Sequence, residues 1–417
     1  MPTASNPPSL GDLHDEQIVG LLRSGAHAAL LGAYFGDVAY RELSHLAKLA
    51  AIRRDERGPR VFILPGIMGS RLGYTDPDSA GLVWLQPAAI SDGLLAQLAL
   101  PGSPDLKVTG IMLPGYLKLK LSLEIAGFNP VFHPFDWRDD LFTLGQQLLR
   151  EMERLGGPAL VVAHSMGGLV ARAALARDKS QHIRKLIQLG APNAGSFAPV
   201  QALRAVYPTV RKLAALDNTH TAEELAQTVF RTLPGLYQLL PTEFLEADRW
   251  PDDSLAPDLS LLSEARKARS QLAAADERCF VIAGVQQETI VAAELLGSQL
   301  EYVVRRDGDG TVPLQSAQWA GARSWYATEN HGALTNNNSV LAAVDEILRH
   351  GDTQRLPRHA PLASDTLVRR MTDNELRQEA TSKVRWESLT LDSRRRILEP
   401  VISPEFRAIP PAEPAIT

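Results

Sequence analysis

The sequence predicts an α/β fold in which helices cover both faces of a mostly parallel sheet. Two observations support this fold class: short apolar runs bounded by turn residues recur along the chain, and segments with helical spacing of apolar residues alternate with them. The runs interpreted as strands are 60–64, 130–134, 159–163, 185–189 and 280–285. The helical patterns among them include 141–155 and 166–175. Because 45% of the 417 residues are hydrophobic, the chain can bury a core of this kind.

Three further regions accompany this alternating pattern. Residues 1–57 are predicted to form an N-terminal helical arm, because apolar residues recur at helical spacing over 15–51. A charged break containing Gly-Pro separates the arm from the main α/β domain at 58–350. Within that domain, 197–275 carries helical patterns, several prolines and aromatic residues, and is predicted to be an inserted helical cap. Residues 351–417 are interpreted as a polar C-terminal extension with one or two short helices.

Charge and cysteine content argue against several classes of protein. The net charge of −5 does not fit a general nucleic-acid binder, because phosphate affinity requires concentrated Lys and Arg. Cys279 is the only cysteine, so an intrachain disulfide is excluded and a Cys-based zinc site is not expected. We expect neither a metal nor a cofactor.

The N-terminal segment shows no pattern of a targeting signal. Residues 1–12 are rich in Pro, Ser and Asn and are expected to form a loose arm. No basic stretch followed by an apolar one is present, and no apolar run approaches the ~20 residues of a membrane-spanning helix. The expected location is therefore the cytoplasm.

Residues 159–172 (ALVVAHSMGGLVAR) indicate a catalytic serine. Five apolar residues run into His164 and Ser165, and two glycines then lead into a helical pattern. This is the pattern of a nucleophile elbow, whose strained serine requires small residues two positions before and after it. Ala163 and Gly167 meet that requirement. The alternative is a structural strand-to-helix turn with an incidental serine.

A nucleophilic serine needs a histidine base and a carboxylate that orients the base, and in such a sheet the chain order is Ser, acid, His. Asp309 is the predicted acid, because it follows an apolar stretch and adjoins Gly-Thr-Val; Asp307 is the reserve candidate. His331 is the predicted base, being the only histidine between Asp309 and the helical pattern near Ser339. The alternatives are a tight turn or a calcium loop for the aspartates and a surface loop for the histidine.

The oxyanion of a tetrahedral intermediate needs two backbone N–H donors. One is expected to be the amide of Met166, the residue after the nucleophile. The other is expected from the loop after the first strand, where we choose Ile67 because Pro65 and Gly66 turn the backbone before it. A Gly/Pro turn without a role is the alternative.

Taken together, these segments resemble the lecithin–cholesterol acyltransferase and lysosomal phospholipase A2 family of α/β-hydrolases, in particular bacterial, cytosolic-type members with a helical arm. The resemblance covers about 60–350 and rests on motifs in a fixed order that ends with His331: LPGIMGSRL (64–72), VWLQ (83–86), PFDWR (134–138), AHSMGG (163–168), LGAPNAGS (189–196) and DGDGTV (307–312). Two features depart from the family pattern: Ala163 replaces the first elbow glycine, and the disulfides of members outside the cytosol are missing.

The resemblance implies an α/β-hydrolase fold, a Ser165–Asp309–His331 triad and an oxyanion hole formed by Ile67 and Met166. It also implies cleavage of acyl esters, commonly of phospholipids, sometimes with transfer of the acyl group to an alcohol. The segment 136–138 would then be structural.

The predicted function is therefore that of a serine esterase or lipase that acts on an ester or lipid substrate. A thioesterase, amidase or peptidase with the same triad is the alternative enzyme, and a catalytically silent regulatory or binding module is the alternative outside catalysis. The cap and residues 94–100 are expected to bind the acyl chain, unless 94–100 is an ordinary buried helix. Peripheral membrane contact through the cap stays open, and the sequence names no protein partner.

Overall fold

A computed structural model describes residues 13–74, 81–360 and 367–378. The expectations for 1–12 and for most of the C-terminal extension lie outside these residues. The strands are β1 (Arg60–Leu64), β2 (Ser70–Tyr74), β3 (Leu82–Trp84), β4 (Leu106–Ile111), β5 (Asn129–Phe132), β6 (Ala159–His164), β7 (Ile183–Leu189), β8 (Cys279–Gly284), β9 (Thr289–Leu296), β10 (Gln299–Arg305), β11 (Arg323–Ala327) and β12 (Leu367–Thr372). The helices are α1 (Asp15–Ser24), α2 (Ala28–Phe35), α3 (Asp37–Arg53), α4 (Pro87–Ser91), α5 (Leu113–Ile125), α6 (Leu141–Arg154), α7 (Met166–Leu175), α8 (Ala198–Leu203), α9 (Pro208–Leu216), α10 (Ala222–Thr228), α11 (Pro234–Tyr237), α12 (Leu259–Ser270), α13 (Leu314–Ala317), α14 (Asn338–His350) and α15 (Asp373–Gln378).

Six strands form a central sheet in the order β11-β8-β7-β6-β1-β5. Every neighbouring pair in this sheet is parallel, so all the strands end at the same edge. Strand β5 pairs with one side of β1, and the next strand of this sheet along the chain, β6, pairs with the other side. The gap between β1 and β6 is therefore a topological switch point. In open parallel sheets the crevice at such a point is where ligands bind.

Both faces of the central sheet are buried, which explains why β1, β6 and β8 appear in the sequence as nearly unbroken apolar runs. On β1, Phe62 and Leu64 belong to one apolar cluster, while Val61 and Ile63 belong to another on the opposite face. Helices contribute to both clusters. The predicted α/β-hydrolase fold class, a mostly parallel sheet between layers of helices, is confirmed.

Helix α6 shows how local sequence determines these elements. Asp140 precedes the helix, and its carboxylate accepts hydrogen bonds from the amides of Phe142 and Thr143, which satisfies two of the four unpaired N–H groups at the helix start. Leu144 and Leu148 then recur at a spacing of one helical turn and are fully buried. The helix observed agrees with the pattern predicted over 141–155.

Two smaller antiparallel sheets accompany the central one, and the sequence patterns did not indicate them. One has the order β3-β2-β4 and the other has the order β12-β10-β9. Strand β10, which leads to the Asp309 loop, therefore lies outside the parallel sheet. The hairpin of β9 and β10 is an excursion from the end of β8, and the chain after it returns to that end.

The segment predicted as an arm forms α1 to α3, and its apolar residues join the cluster on one face of the central sheet. Asp15 pairs with Arg71 at 2.9 Å, and Glu16 pairs with Lys120 on α5. These contacts connect the arm to β2 and to α5. Within the described residues, no helix is both long enough and apolar enough to cross a membrane.

Residues 197–275 contain α8 to α12 and three short 3₁₀ turns, all inserted between β7 and β8. Arg204, the residue directly after α8, is fully buried and pairs with Asp253 at 2.7 Å and with Asp373 of α15 at 2.9 Å. This ion-paired cluster connects the insertion to the C-terminal segment. The division of the chain at 57, 197, 275 and 350 stays a prediction.

His133 follows β5 directly and is buried against the ring of Phe62, with the ring centroids 6.1 Å apart. Its Nε2 has no hydrogen-bond partner among the described residues. Burial lowers the pKa of His133 to about 4, against a smaller opposing effect of Glu151. The neutral ring is therefore the form that the folded protein accommodates.

This burial predicts that the protein loses stability in mild acid. Between about pH 6.5 and 4 the unfolded chain binds a proton at His133 that the folded protein does not bind, so the free energy of unfolding falls as pH falls. The contribution of this one group is at most about 3 kcal/mol. His133→Gln should therefore show a shallower decline of the urea midpoint between pH 7 and pH 4 than the wild type. If the urea midpoints of the wild type and the variant decline in parallel, this explanation is wrong.

Candidate active site

Ser165 lies between β6 and α7, at the switch point of the central sheet. Its backbone has φ 53° and ψ −126°, an unusual conformation for a residue with a side chain. The turn is held by a hydrogen bond from the Ser165 amide to the Leu189 carbonyl at 3.0 Å, and by one from the Gly168 amide to the Ser165 carbonyl at 2.9 Å. This strained turn presents the Ser165 side chain at the end of the strands.

The two glycines after Met166 are required by close packing. A Cβ at Gly167 would lie 2.4 Å from the carbonyl oxygen of Pro65, and one at Gly168 would lie 2.5 Å from the Cβ of Ala191. Gly167 therefore permits the approach of the loop after β1, and Gly168 permits the approach of the loop after β7.

The structure brings the three predicted triad residues together. His331 Nε2 lies 2.9 Å from Ser165 Oγ, and His331 Nδ1 lies 2.7 Å from Asp309 Oδ2. A carboxylate only accepts hydrogen bonds, so Nδ1 carries the proton and Nε2 is free to accept from the serine hydroxyl. All three side chains are buried, and Asp309 is 1% exposed.

Asp309 is held by backbone amides as well as by His331. Its Oδ1 accepts from the amides of Thr311 at 3.0 Å and Val312 at 2.7 Å. The amide of His331 donates to the carbonyl of Asp309 at 2.8 Å, so the loops that carry these two residues are also joined through their backbones. Asp307, the reserve candidate, contributes its carbonyl to the Leu314 amide, and it is Asp309 that contacts the histidine.

The return of the chain after β10 explains how Asp309 reaches the central sheet. A Cβ at Gly284, the last residue of β8, would lie 2.5 Å from the Cβ of Asp309. A Cβ at Gly190, directly after β7, would lie 2.9 Å from Asp309 Oδ2. Glycines at the ends of two central strands thus leave the space that the aspartate occupies.

The loop after β1 lies directly against the serine. A Cβ at Gly66 would lie 2.9 Å from the Cβ of Ser165. Among the described residues, neither the amide of Ile67 nor that of Met166 donates to a carbonyl or side chain. Both predicted oxyanion donors are therefore available at the site.

Four hydrogen bonds fix this loop (65–69), which is called the oxyanion loop below because the sequence predicts one oxyanion donor in it. The Gly69 amide donates to the Gly66 carbonyl at 3.0 Å, and the Met112 amide donates to the Gly69 carbonyl at 2.9 Å. The indole N–H of Trp84, from the VWLQ motif, donates to the Met68 carbonyl at 2.9 Å. The Gly66 amide donates to the hydroxyl of Tyr116 at 2.8 Å. The sequence interpretation missed Tyr116, because a tyrosine among apolar residues on a helix resembles an ordinary core residue.

Two other motifs support the site from outside it. In PFDWR, the indole N–H of Trp137 donates to the Ser70 carbonyl at 3.3 Å, beside the oxyanion loop. In LGAPNAGS, Asn193 donates to the side chain of Gln188 at 2.7 Å, and Gln188 donates to the Gly168 carbonyl at 3.0 Å. The hydrogen bonds of Asn193 and Gln188 hold the first turn of α7, the helix that follows the serine.

A cleft of about 850 Å³, open solvent at its mouth included, lies above the serine. Its walls come from the oxyanion loop, the start of α5, the insertion and the His331 loop, and no Asp, Glu, Lys or Arg lines it among the described residues. The wall from the insertion is formed by Ala198, Pro199, Ala202, Tyr207, Leu236 and Leu239. Residues 94–100 do not line the cleft, and Leu95 and Leu98 are buried elsewhere, which favours the structural interpretation of that segment. In the part of the chain that the structure describes, no three His, Cys, Asp or Glu side chains form a metal-binding group.

Comparisons with known proteins agree with this architecture. Residues 122–265 match the lecithin:cholesterol acyltransferase family. A human protein, lysosomal phospholipase A and acyltransferase, is 35% identical over 96 residues, which are 20% of this chain and 21% of the human protein. The matched segment therefore spans about a fifth of that relative. Both matches support an LCAT-like α/β-hydrolase family, and the resemblance predicted from the motifs is confirmed.

Solved structures with a similar fold were also found. A chain in the crystal structure of the Tle4-Tli4 complex is 14% identical, with a TM-score of 0.46, and the match covers 72% of this chain and 100% of that one. The mature form of the lipase BlEst2 from Bacillus licheniformis is 14% identical, with a TM-score of 0.36, and the match covers 68% and 89% of the two chains.

The contact between Gly66 and Ser165 leads to a prediction about activity. In Gly66→Ala the new Cβ must displace the serine or the loop, so we expect kcat/KM for an ester to fall by roughly 100-fold. Gly20→Ala on α1 is the matched control, because a Cβ there meets nothing within 4 Å and replaces a helical glycine. Full activity in Gly66→Ala, measured beside the control on p-nitrophenyl acetate, would show that the loop is not held against the serine.

Proposed function

We propose that this LCAT-like α/β-hydrolase is a serine hydrolase that cleaves carboxylic esters, and that its substrate is an acyl ester of a lipid. The observation that carries the proposal is the unbroken line of hydrogen bonds from Asp309 through His331 to Ser165, at 2.7 and 2.9 Å. This line ends beneath an uncharged cleft, which suits an apolar acyl chain. The human relative's name, phospholipase A and acyltransferase, supports a lipid acyl ester.

The proposed reaction begins when Ser165 Oγ attacks the ester carbonyl carbon and its proton passes to His331 Nε2. Asp309 stabilises the imidazolium that forms, because its carboxylate accepts the Nδ1 proton in a hydrogen bond. The amides of Ile67 and Met166 stabilise the oxyanion, each by about 3 kcal/mol.

Collapse of the tetrahedral intermediate breaks the bond to the leaving alcohol, which takes the proton from His331. Ser165 then carries the acyl group as an ester. Water attacks this acyl-enzyme as His331 removes its proton, and a second collapse releases the acid and restores the serine. We propose that an alcohol can take the place of water, in which case the product is a new ester.

The first test uses a fluorophosphonate probe, which labels activated serines, together with p-nitrophenyl esters. Wild-type protein should be labelled and should turn over the ester, whereas Ser165→Ala and His331→Ala should lose labelling and lower kcat by roughly 10⁴-fold or more. Ser180→Ala and His350→Ala are matched controls, since both residues are exposed and outside the cleft. An unlabelled, inactive wild type would count against the proposal and favour a binding module.

The cleft wall formed by the insertion predicts chain-length preference. Ala198 lines the cleft and is only partly buried, so Ala198→Leu should shorten the acyl site without disturbing the core. We expect kcat/KM for long-chain p-nitrophenyl esters to fall about tenfold while that for the acetate stays within twofold. Ala51→Leu, on the exposed face of α3, is the control. If kcat/KM falls equally for esters of all chain lengths, the acyl chain does not bind against Ala198.

The acceptor is tested separately. Adding a medium-chain alcohol to the wild-type reaction should yield the corresponding ester, detected by mass spectrometry, if the acyl-enzyme accepts alcohols. Formation of free acid alone, at every alcohol concentration, would restrict the proposal to hydrolysis.

A further inference from the structure

A second line of buried hydrogen bonds runs through the site, separate from the triad. The Gly66 amide donates to the hydroxyl of Tyr116 at 2.8 Å, and this hydroxyl lies 3.0 Å from His164 Nδ1. His164 Nε2 in turn lies 2.9 Å from the backbone carbonyl oxygen of His331. Tyr116 and His164 are both less than 10% exposed. From the sequence, His164 has no predicted role.

Only one arrangement of protons satisfies every group in this line. The His331 carbonyl can only accept, so His164 Nε2 must carry a proton. Burial, and then the neighbouring His331, lowers the pKa of His164 to about 3, so the ring is neutral and its Nδ1 is an acceptor. Tyr116 therefore donates to Nδ1 and accepts from the Gly66 amide.

The line joins two loops that come from distant strands. Gly66 belongs to the oxyanion loop after β1, whereas His331 belongs to the loop after β11, at the far edge of the sheet. We propose that Tyr116 and His164 are positioning residues, which hold the oxyanion loop and the His331 loop at fixed positions around Ser165. This proposal rests on the proposed function.

The direction of each bond explains what would be positioned. Because Tyr116 accepts from the Gly66 N–H, the peptide plane before Gly66 is fixed. The next peptide plane, which carries the Ile67 N–H, is fixed by the Gly69 amide, which donates to the Gly66 carbonyl. Because His164 holds the His331 carbonyl, the backbone that carries the imidazole cannot drift away from Ser165. A misplacement of about 1 Å in such groups costs roughly 100-fold in rate.

Helix α5 is also bound to the His331 loop at a second point. The hydroxyl of Thr335 donates to the Gly115 carbonyl at 2.6 Å, and the side-chain amide of Asn336 donates to the Pro114 carbonyl at 3.2 Å. The first turn of α5 is therefore held between the two loops. Tyr116 lies within this fixed turn, which makes its hydroxyl a rigid connection.

The test separates the two bonds of His164 by substitution. In His164→Gln the side-chain amide nitrogen can take the place of Nε2 and still donate to His331, whereas the bond to Tyr116 is lost. In His164→Asn the side-chain oxygen can take the place of Nδ1 and accept from Tyr116, whereas the bond to His331 is lost. Tyr116→Phe removes the hydroxyl from both of its bonds.

Each variant is assayed as the full chain on p-nitrophenyl butyrate, with active sites titrated by the fluorophosphonate probe. We expect kcat per titrated site to fall roughly 100-fold in His164→Asn, about tenfold in Tyr116→Phe, and no more than about fivefold in His164→Gln. KM should stay within about twofold, because the bonds act on the reacting groups and not on substrate binding.

Tyr302→Phe is the matched control. The Tyr302 hydroxyl is also buried and donates to Asp373 at 2.8 Å, away from the cleft. Its loss should lower the melting temperature and leave kcat per titrated site unchanged. If Tyr116→Phe and His164→Asn behave as this control does, the two residues are merely structural and the proposal is overturned, while the proposed function stands. If the wild type is neither labelled nor active, both proposals fall.

Discussion

The strained backbone at Ser165 is the constraint on which the rest of the site depends. A non-glycine residue at φ 53° and ψ −126° costs of order 1–3 kcal/mol, and it persists only where its surroundings over-determine it. Here β6 is buried on both faces, the Ser165 amide is bound to the Leu189 carbonyl, and Gly167 and Gly168 admit the neighbouring loops. The cost of the turn is thus offset by the burial of the sheet, and the turn presents the Ser165 side chain at the end of the strands.

Sheet topology explains how residues far apart in sequence meet at that turn. Because β1 and β6 are neighbours on either side of the switch point, the loop after β1 lies beside the serine. The amide of Ile67, which we propose as an oxyanion donor, is thus held there before any reaction begins. The acid reaches the same edge by another route. After β8 the chain forms the hairpin of β9 and β10, and Asp309 then fills the space left by Gly190 and Gly284. A hairpin excursion therefore places an acid at the edge of a sheet to which its own strand does not belong.

How well a feature could be predicted from the sequence depends on how far apart in the chain its interacting residues lie. Ser165 could be singled out because the elbow is a local pattern, and Asp309 and His331 because chemistry limits residue type and chain order. Helix α6 was predictable from its period and its Asp140 cap. By contrast, the bonds of Tyr116 join residues 50 and 48 positions away, and those of His164 join residues 48 and 167 positions away. No local pattern records such pairings, and a buried tyrosine or histidine resembles packing.

The small sheets were missed for a related reason. Strand β12 (LVRRMT) contains two adjacent arginines, so it lacks the alternation of apolar and polar residues that indicates a half-buried strand. It is defined by its antiparallel pairing with β10, about 65 residues earlier in the chain. Strand β3 has three residues, too few for any period to be visible. Pairing partners determined these strands, and a single sequence does not contain that information in readable form.

The electrostatics of the site require that His164 is neutral. Its ring centroid lies 4.7 Å from that of His331, which becomes an imidazolium when the serine attacks in the proposed reaction. Two positive charges at this separation would repel each other by about 3.5 kcal/mol at an effective dielectric constant of about 20, and would oppose the proton transfer by that amount. Burial prevents this, because it holds the pKa of His164 at about 3. A histidine can therefore stand beside the base as a neutral donor, where a lysine or arginine would weaken the base that it supports.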